Sequence, residues 1–249
     1  MAHQTIENRQ RAAVFHQNLI SLAGSIILAA MLWQHCAPAA DEQSNTEPAS
    51  APTDAASNQK LPPAQLPASL IPAGYRIQTE VSGDLNKDEI ADKVVVFFHK
   101  SEPTEPGATA IDPDAEPPRL LVVFLARDGQ YHKAIESQTA IMCRQCGGIM
   151  GDPYQAVKIE RGSFLISHFG GSRERWGFDH RFQLRSGRWQ MTGVTETTYD
   201  SATGAEQVID TNLLTGDQIT STKDEQGHSR QTRAKVQPSL RLLKDFNVG

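Results

Sequence analysis

The sequence predicts an all-β protein whose strands form an antiparallel meander. Three observations indicate this fold class. After residue 72 the apolar residues form short runs rich in Val and Phe, Gly-containing turn sequences separate these runs, and no segment sustains the 3.6-residue period of an amphipathic helix. A closed barrel, a sandwich and a partial propeller all fit this pattern.

Residues 1–40 predict a signal peptide or an N-terminal membrane anchor. Arg9 and Arg11 precede the apolar run LISLAGSIILAAMLW, whose 15 residues are fewer than the about 20 that a spanning helix needs. The small residues APA then fit cleavage after Ala39. Lipidation at Cys36 and an uncleaved anchor over residues 12–33 are the alternatives. Each form implies export to the periplasm or cell envelope of a bacterium.

A disordered linker is expected over residues 41–72. This segment is rich in Ala, Pro, Ser and Gln and contains no aromatic residue. Such a composition buries too little apolar surface to offset the entropy lost on ordering. The β domain is therefore expected to span residues 73–249, and membrane association is expected only through the N-terminus.

Charge and cysteine content exclude two classes of protein. The formal net charge is −5 and becomes −6 without residues 1–40, so no basic excess is present to neutralise nucleic-acid phosphates. The chain has three Cys residues, too few for a disulfide-stapled mini-protein. The β domain must therefore be stable through its own core.

The order of strands and turns can be predicted along the β domain. An exposed, proline-rich loop is expected over residues 101–118, and the sequences RDGQ, ERGS and RSGR predict hairpin turns because the residues in them accept positive φ. The sequences SATG, LTGD and DEQG predict further turns near the C-terminus. The expected strands span residues 75–81, 93–99, 119–125, 131–136, 156–160, 163–167, 178–184 and 188–198, with more strands in the last fifty residues.

An acidic turn between two predicted strands predicts a calcium site. With Asp84 as position 1, the side chains of Asn86, Asp88 and Asp92 take positions 3, 5 and 9, and Ile90 offers its carbonyl at position 7. Ca²⁺ binds six to eight oxygens, and this spacing directs alternate groups to one centre. The alternative is a solvated turn whose side chains cap backbone N–H groups without an ion. In either case the role is structural.

The stretch GDLNKDEIADKVVVF resembles the calcium loop of FG-GAP and VCBS-type repeats, D-x-N-x-D-G-x-x-D followed by an apolar strand. In that family the ion braces a turn of a β-propeller blade in extracellular proteins, so the resemblance implies structural Ca²⁺. The motif occurs once here, whereas a full propeller repeats it every ~40–60 residues. Glu89 also stands where the family has Gly, at a position that requires a left-handed backbone.

The CxxC motif formed by Cys143 and Cys146 is expected to be a local disulfide or a pair of structural thiols. A redox CxxC needs its first thiol at a helix N-terminus, but the glycines and Pro153 that follow predict a loop. A zinc site would need two more ligands, and the His residues show no paired spacing. Bracing of a Gly-rich loop in an oxidising compartment is therefore expected, with thiol-redox activity as the alternative.

The segment FLISHFGGSRERWGFDHRFQL predicts a binding surface. A strand is expected to end at its first His, two glycines turn the chain, and the Arg and Trp side chains project from the loop that follows. Arg and Trp can bind an anionic or saccharide ligand by bidentate and stacking contacts. The candidate ligand-binding residues are His168, Arg173, Arg175, Trp176 and Asp179. The alternative is a structural role, in which Trp176 belongs to the core, the two arginines pair with acidic turns such as residues 84–92, and His168 is a satisfied residue at a strand end.

Three functions fit the sequence. The first is a non-enzymatic binding or scaffold module of the envelope, with an unidentified envelope protein or an anionic or saccharide ligand as its partner. The second is a metal-assisted hydrolase that uses His168 with Asp179 or His180. The third is a thiol-disulfide protein. The signal, the linker and the motifs CRQCGG and SHFGGSRERW together resemble uncharacterised exported proteins and lipoproteins of bacteria, which implies an envelope location and no particular activity.

Overall fold

Antiparallel β-strands make up most of the chain that the structure describes. The structure, a computed structural model, describes residues 62, 64–104 and 116–248. The predicted signal or anchor, Cys36 and most of the predicted linker lie outside these residues. The strands are β1 (Tyr75–Gly83), β2 (Asp92–His99), β3 (Leu120–Arg127), β4 (Gln130–Ser137), β5 (Tyr154–Glu160), β6 (Ser163–Gly171), β7 (Glu174–Arg185), β8 (Arg188–Asp200), β9 (Glu206–Asn212), β10 (Asp217–Lys223), β11 (Ser229–Lys235) and β12 (Arg241–Leu242). Single 3₁₀ turns are formed by Ala68–Leu70, Gly148–Met150 and Leu243–Asp245.

The strands form two sheets. Sheet A has the order β1-β2-β3-β4, and sheet B has the order β11-β10-β9-β8-β7-β6-β5, with β12 beside the first part of β8. Apart from β12, neighbouring strands are consecutive in sequence and antiparallel, which confirms the predicted meander. The described strands do not close into a barrel.

The predicted hairpin turns form as expected. In the turns RDGQ, ERGS and RSGR, both central residues have a positive φ between 48° and 72°. This backbone matches the twist of the flanking strands, so each turn joins its two strands directly. The turns SATG, LTGD and DEQG connect β8 to β9, β9 to β10 and β10 to β11.

The main core lies between the two sheets. Val94, Val96 and Phe98 of β2 face sheet B, while the alternate residues of the same strand face the other side of sheet A. Burial on both faces explains why β2 and β3 are continuous apolar runs. The residues that sheet B buries against them are Val157, Phe164, Ile166, Phe182, Trp189 and Met191.

The other side of sheet A is covered by a segment that the composition had assigned to the linker. Leu66 is 6% exposed and packs with Val95 and Phe97. Its N–H donates to Glu80, which forms a 2.5 Å ion pair with the buried Lys93. The prediction of disorder up to residue 72 is therefore wrong for residues 64–72, because the charge pair and the apolar face of the sheet hold this segment in place.

Candidate functional site

The acidic turn joins β1 to β2 and folds back on its own backbone. The carboxylate of Asp84 accepts hydrogen bonds of 2.6, 3.2 and 3.1 Å from three backbone N–H groups. The donors are Lys87, Asp88 and Glu89. Lys87 and Glu89 have left-handed φ values of 68° and 67°. A side chain at such a position strains the turn by about 1 kcal/mol relative to Gly.

The other predicted calcium ligands also form hydrogen bonds within the chain. Asn86 donates from Nδ2 to Oδ2 of Asp88 at 2.8 Å, and Oδ1 of Asp88 accepts the N–H of Ile90 at 2.9 Å. The side chain of Ile90 is buried on the outer face of sheet A. The group predicted as a ligand at this residue is its backbone carbonyl, so burial of the side chain leaves that prediction unchanged.

Asp92 links the turn to the neighbouring strand. Its side chain is fully buried and accepts the N–H groups of Leu85 and Ala126, both at 2.9 Å. Burial raises the pKa of Asp92; the two backbone hydrogen bonds lower it, and the charges of Asp88 and Asp84 raise it. The carboxyl therefore connects β2 to β3 as well as closing the turn.

The described residues contain no group of three His, Cys, Asp or Glu side chains that could hold a metal ion. The hydrogen bonds of the acidic turn are those expected of a capped polar turn. Calcium binding at this turn remains a prediction from the sequence.

Cys143 and Cys146 are joined by a disulfide within the loop between β4 and β5. Their Cα atoms are 5.2 Å apart. The loop lies directly on β6, where the backbone of Gly147 accepts a 2.8 Å hydrogen bond from Gly171. A β-carbon on Gly170 would lie 2.8 Å from Gly147 and 2.5 Å from the ring of Trp176, so only glycine fits between them. The disulfide loop therefore borders the segment predicted to bind a ligand.

Arg119 is the centre of a buried polar cluster beside this loop. Its side chain is 1% exposed, and all five guanidinium N–H groups have acceptors. Two N–H groups bond to the carboxylate of Glu102, two bond to Asp152 at 2.7 Å each, and one bonds to the carbonyl of Met142 at 3.1 Å. The guanidinium carbon lies 3.7 Å from the ring centroid of Phe98. Arg119 thus holds three separate segments together.

No motif in the sequence predicts this cluster. Glu102 was expected in an exposed loop, but it is 3% exposed. That expectation is wrong because Glu102 pairs with Arg119 across 17 residues, and Asp152 pairs with Arg119 across 33 residues. The only local signal is the position of Arg119 directly before the apolar run of β3.

His168 is bonded to the disulfide loop. It lies on β6, is 2% exposed, and its Nε2 accepts the N–H of Met142 at 3.2 Å. Burial lowers the pKa of His168 to about 4, and the nearby charges of His180 and Arg119 lower it in the same direction. An Nε2 that accepts a hydrogen bond is unprotonated, so the neutral ring carries its proton on Nδ1.

Asp179 and His180 do not form an acid/base pair with each other. They are consecutive in β7, so their side chains point to opposite faces of sheet B. The carboxylate of Asp179 accepts the hydroxyl hydrogen of Ser167 on one face. On the other face the ring of His180 lies 4.8 Å from that of Phe246, and burial, followed by the charge of Arg241, lowers the pKa of His180 to about 4.

His168 lies on the same face as His180, because His168 is opposite Phe178 in the register of β6 and β7. Asp179 is therefore also on the opposite face from His168. The sheet thus separates His168 from Asp179, one of the two partners predicted for the hydrolase, and leaves His168 and His180 on a shared face.

The predicted loop with Arg and Trp is shorter than expected. Only Ser172 and Arg173 lie between β6 and β7, and Arg175 and Trp176 are already within β7. The expectation that these two side chains project from a loop is wrong, because β7 pairs with β6 from its second residue onward and with β8 along its whole length. The ring of Trp176 stacks on Phe178 at 5.3 Å.

Arg173 is the exposed member of this segment. Its side chain is 67% exposed and forms a 2.9 Å ion pair with Asp200 at the end of β8. The hydrogen bond from Arg173 lowers the pKa of Asp200 to about 2. The exposed Arg173 and the half-buried Trp176 thus both lie at the open end of the β7–β8 hairpin, opposite the turn RSGR.

No protein-family model matches the chain, and no curated protein matches its sequence. The resemblance to FG-GAP and VCBS-type calcium loops therefore depends on the residues of the turn and β2 alone. Among the residues described, none of the helical segments is long and apolar enough to cross a membrane.

Replacement of Arg119 by Met should lower the free energy of unfolding by about 3–5 kcal/mol, because Glu102 would keep a buried charge without its partner. Urea unfolding monitored by circular dichroism measures this loss. Arg173→Met removes an exposed ion pair and should leave the free energy of unfolding nearly unchanged. Equal losses in the two variants would contradict the assigned role of Arg119.

Stability should also decrease between pH 7 and pH 5. The pKa of His168 is about 4 in the folded protein and 6.5 in the unfolded chain, so the unfolded state binds more protons between these values. The contribution of His168 is complete above pH 6.5 and decreases as the pH falls toward 4. The expected loss from this residue is about 2 kcal/mol at pH 5, and His180 should add a similar loss.

His168→Gln tests this pH dependence, since Gln can still accept the N–H of Met142 but does not titrate. Urea unfolding at pH 7, 6 and 5 should show a loss that is about 2 kcal/mol smaller in the variant than in the wild type. Parallel stability curves for the two proteins would show that His168 does not cause the effect.

Proposed function

We propose that the β domain is a non-enzymatic binding or scaffold module of a bacterial cell envelope. The observation that carries the proposal is the surface at the open end of the β7–β8 hairpin. There an exposed Arg173 accompanies a half-buried Trp176 that stacks on Phe178. A planar cation and an aromatic ring suit an anionic or saccharide ligand. The disulfide loop supports this surface, since it packs against Gly170 next to the Trp176 ring.

The buried polar groups favour a structural role behind this surface. His168 and Arg119 hold the disulfide loop through the N–H and the carbonyl of the same residue, Met142. In a neutral histidine whose Nε2 accepts a backbone N–H, the lone pair of that nitrogen is used by this hydrogen bond. These residues therefore act as supports for the proposed ligand surface and are not its contacts.

We also propose that Ca²⁺ braces the acidic turn. Asp84, Asn86, Asp88 and Asp92 lie in one turn of nine residues, and the backbone at Glu89 has the left-handed φ that FG-GAP-type loops adopt at their Gly. The ligands would be these four side chains with the carbonyl of Ile90. Burial, and after it repulsion from Asp88 and Asp84, raises the pKa of Asp92, and the ion would relieve this repulsion.

The envelope location rests on the N-terminal sequence. The apolar run at residues 19–33, preceded by two Arg residues, supports export, and the following polar segment would separate the domain from a membrane. The negative net charge supports partners other than nucleic acid.

Calcium binding is tested by calorimetric titration of Ca²⁺ into the protein after treatment with EDTA. Saturable heat is expected in the wild type and should be absent in Asp88→Ala. Glu89→Gly should keep this heat and should raise the free energy of unfolding by up to about 1 kcal/mol, because it removes backbone strain from a turn whose φ at this position is left-handed without the ion.

The control for this titration is Asp224→Ala. Asp224 also accepts backbone N–H groups in an exposed turn, but the residues around it lack the regular spacing of acidic and amide side chains found in residues 84–92. Its replacement should leave the heat of binding unchanged. An absence of heat in the wild type, with a melting temperature that Ca²⁺ does not change, would leave the turn a capped polar turn.

Ligand binding is tested with an oligosaccharide of galacturonic acid, which combines sugar rings with carboxylates. Calorimetry should show binding that is weakened about tenfold by Trp176→Ala and by Arg173→Ala, through loss of stacking or of a charged contact. Arg188→Ala removes a different exposed turn arginine and should bind like the wild type. Equal binding by the wild type and the three variants would show that the oligosaccharide does not bind at this surface.

A further inference from the structure

Strands β9, β10 and β11 extend sheet B beyond the part that sheet A covers. No residue of these three strands belongs to either apolar cluster of the described chain. All seven residues of β11 are exposed, and β11 is the last strand in the order of the sheet. One edge of β11 pairs with β10, and no described strand pairs with the other edge.

The backbone groups on this free edge follow from the pairing with β10. The register runs without a shift from Asp217↔Lys235 to Lys223↔Ser229. It is flanked at one end by the 3.0 Å bond from Asp224 N–H to the His228 carbonyl. Antiparallel pairs alternate between bonded and non-bonded positions. The residues of β11 whose N–H and C=O groups point away from β10 are therefore Ser229, Gln231, Arg233 and Lys235.

The other end of the hairpin gives the same assignment. Val236 N–H donates to the carbonyl of Gly216 at 2.8 Å, and this pair lies an even number of positions from the Asp224–His228 pair. The free edge thus presents regularly spaced donors and acceptors over seven residues, with no bulge to interrupt them. Such an edge is a template for the addition of another strand.

Next to this edge lies a groove that could receive alternate side chains of an added strand. The groove has a volume of about 340 Å³ and includes Val208 of β9, Ser221 of β10 and Gln231 of β11. Lys223 and Arg230 also contribute to it, and Glu206 is its one acidic residue. The groove is therefore polar and carries more positive than negative charge.

The charge of β11 indicates which kind of strand would bind. The strand contains Arg230, Arg233 and Lys235 and no acidic residue. Only Lys235 has an ion pair among the described residues, at 2.8 Å to Asp217. A second copy of β11 would bring the same three cations to the edge and would be repelled, whereas a strand with acidic side chains would be attracted.

We propose that the free edge of β11 binds an extended acidic peptide segment of a partner protein as an added β-strand. Backbone hydrogen bonds to Gln231 and Arg233 provide the pairing, and the basic side chains select an acidic sequence. The contacts proposed here are made by β11 and not by Trp176 or Arg173, and this proposal does not rest on Ca²⁺ at the acidic turn.

The test uses a fluorescein-labelled peptide of nine residues that alternates Thr and Glu, with fluorescence anisotropy of the full chain at low salt. Gln231→Ala keeps the outward N–H and should bind like the wild type. Gln231→Pro removes that N–H without removing a bond to β10, and should bind at least about tenfold more weakly. Arg233→Glu should weaken binding to a similar extent through its reversed charge.

A second peptide keeps the test decisive if the proline variant does not fold. The same Thr/Glu peptide with N-methyl groups on alternate residues retains its charge but loses backbone donors, and it should bind at least about tenfold more weakly to the wild type. A Thr/Lys peptide should not bind.

Three results would overturn the proposal. The first is an absence of binding by the Thr/Glu peptide. The second is equal binding by the N-methylated peptide, which would show attraction by charge alone. The third is a wild-type dimer in sedimentation velocity that Gln231→Pro dissociates, which would show that a second copy of the chain occupies the edge.

Discussion

The unequal extents of the two sheets determine which parts of this protein are buried and which are open to partners. The strands of sheet A have eight or nine residues, whereas β7 and β8 of sheet B have 12 and 13. Apolar burial stabilises a sheet only where another layer covers it. The aromatic residues Phe164, Phe182 and Trp189 lie within the covered part. Beyond the covered part, sheet B continues into the open end of the β7–β8 hairpin, which carries Trp176, and into the exposed strand β11.

A buried cluster of charged residues holds the loops at one end of the core in place. Arg119 offsets the cost of its own burial through five hydrogen bonds and two carboxylates. The carbonyl of Met142 is one of its acceptors, and the disulfide loop begins at the next residue. This loop then packs on Gly170 beside Trp176. The cluster is thus connected to the proposed ligand surface through the disulfide loop.

Most strands and turns of the fold could be predicted, because their signals are local. The X-Gly pairs of the hairpins and the apolar runs of β2 and β3 specify backbone conformation within a few residues. The loop around Gly171 was predicted too long for the same reason. The glycines indicated a turn, but pairing with β6 and β8 extended β7 back to Glu174. Cross-strand hydrogen bonds outweighed the local preference for a loop.

The sequence by itself determined the fold class, the hairpin turns and the positions of the oxygen-bearing residues in the acidic turn. Only the tertiary structure decided that His168 and Asp179 lie on opposite faces of sheet B and that Glu102 is buried against Arg119. It also decided that the segment at Leu66 covers sheet A. The physical reason is the distance along the sequence over which each interaction acts. Turn and strand preferences act between neighbouring residues, whereas face, burial and ion pairing depend on packing between segments that are distant in sequence.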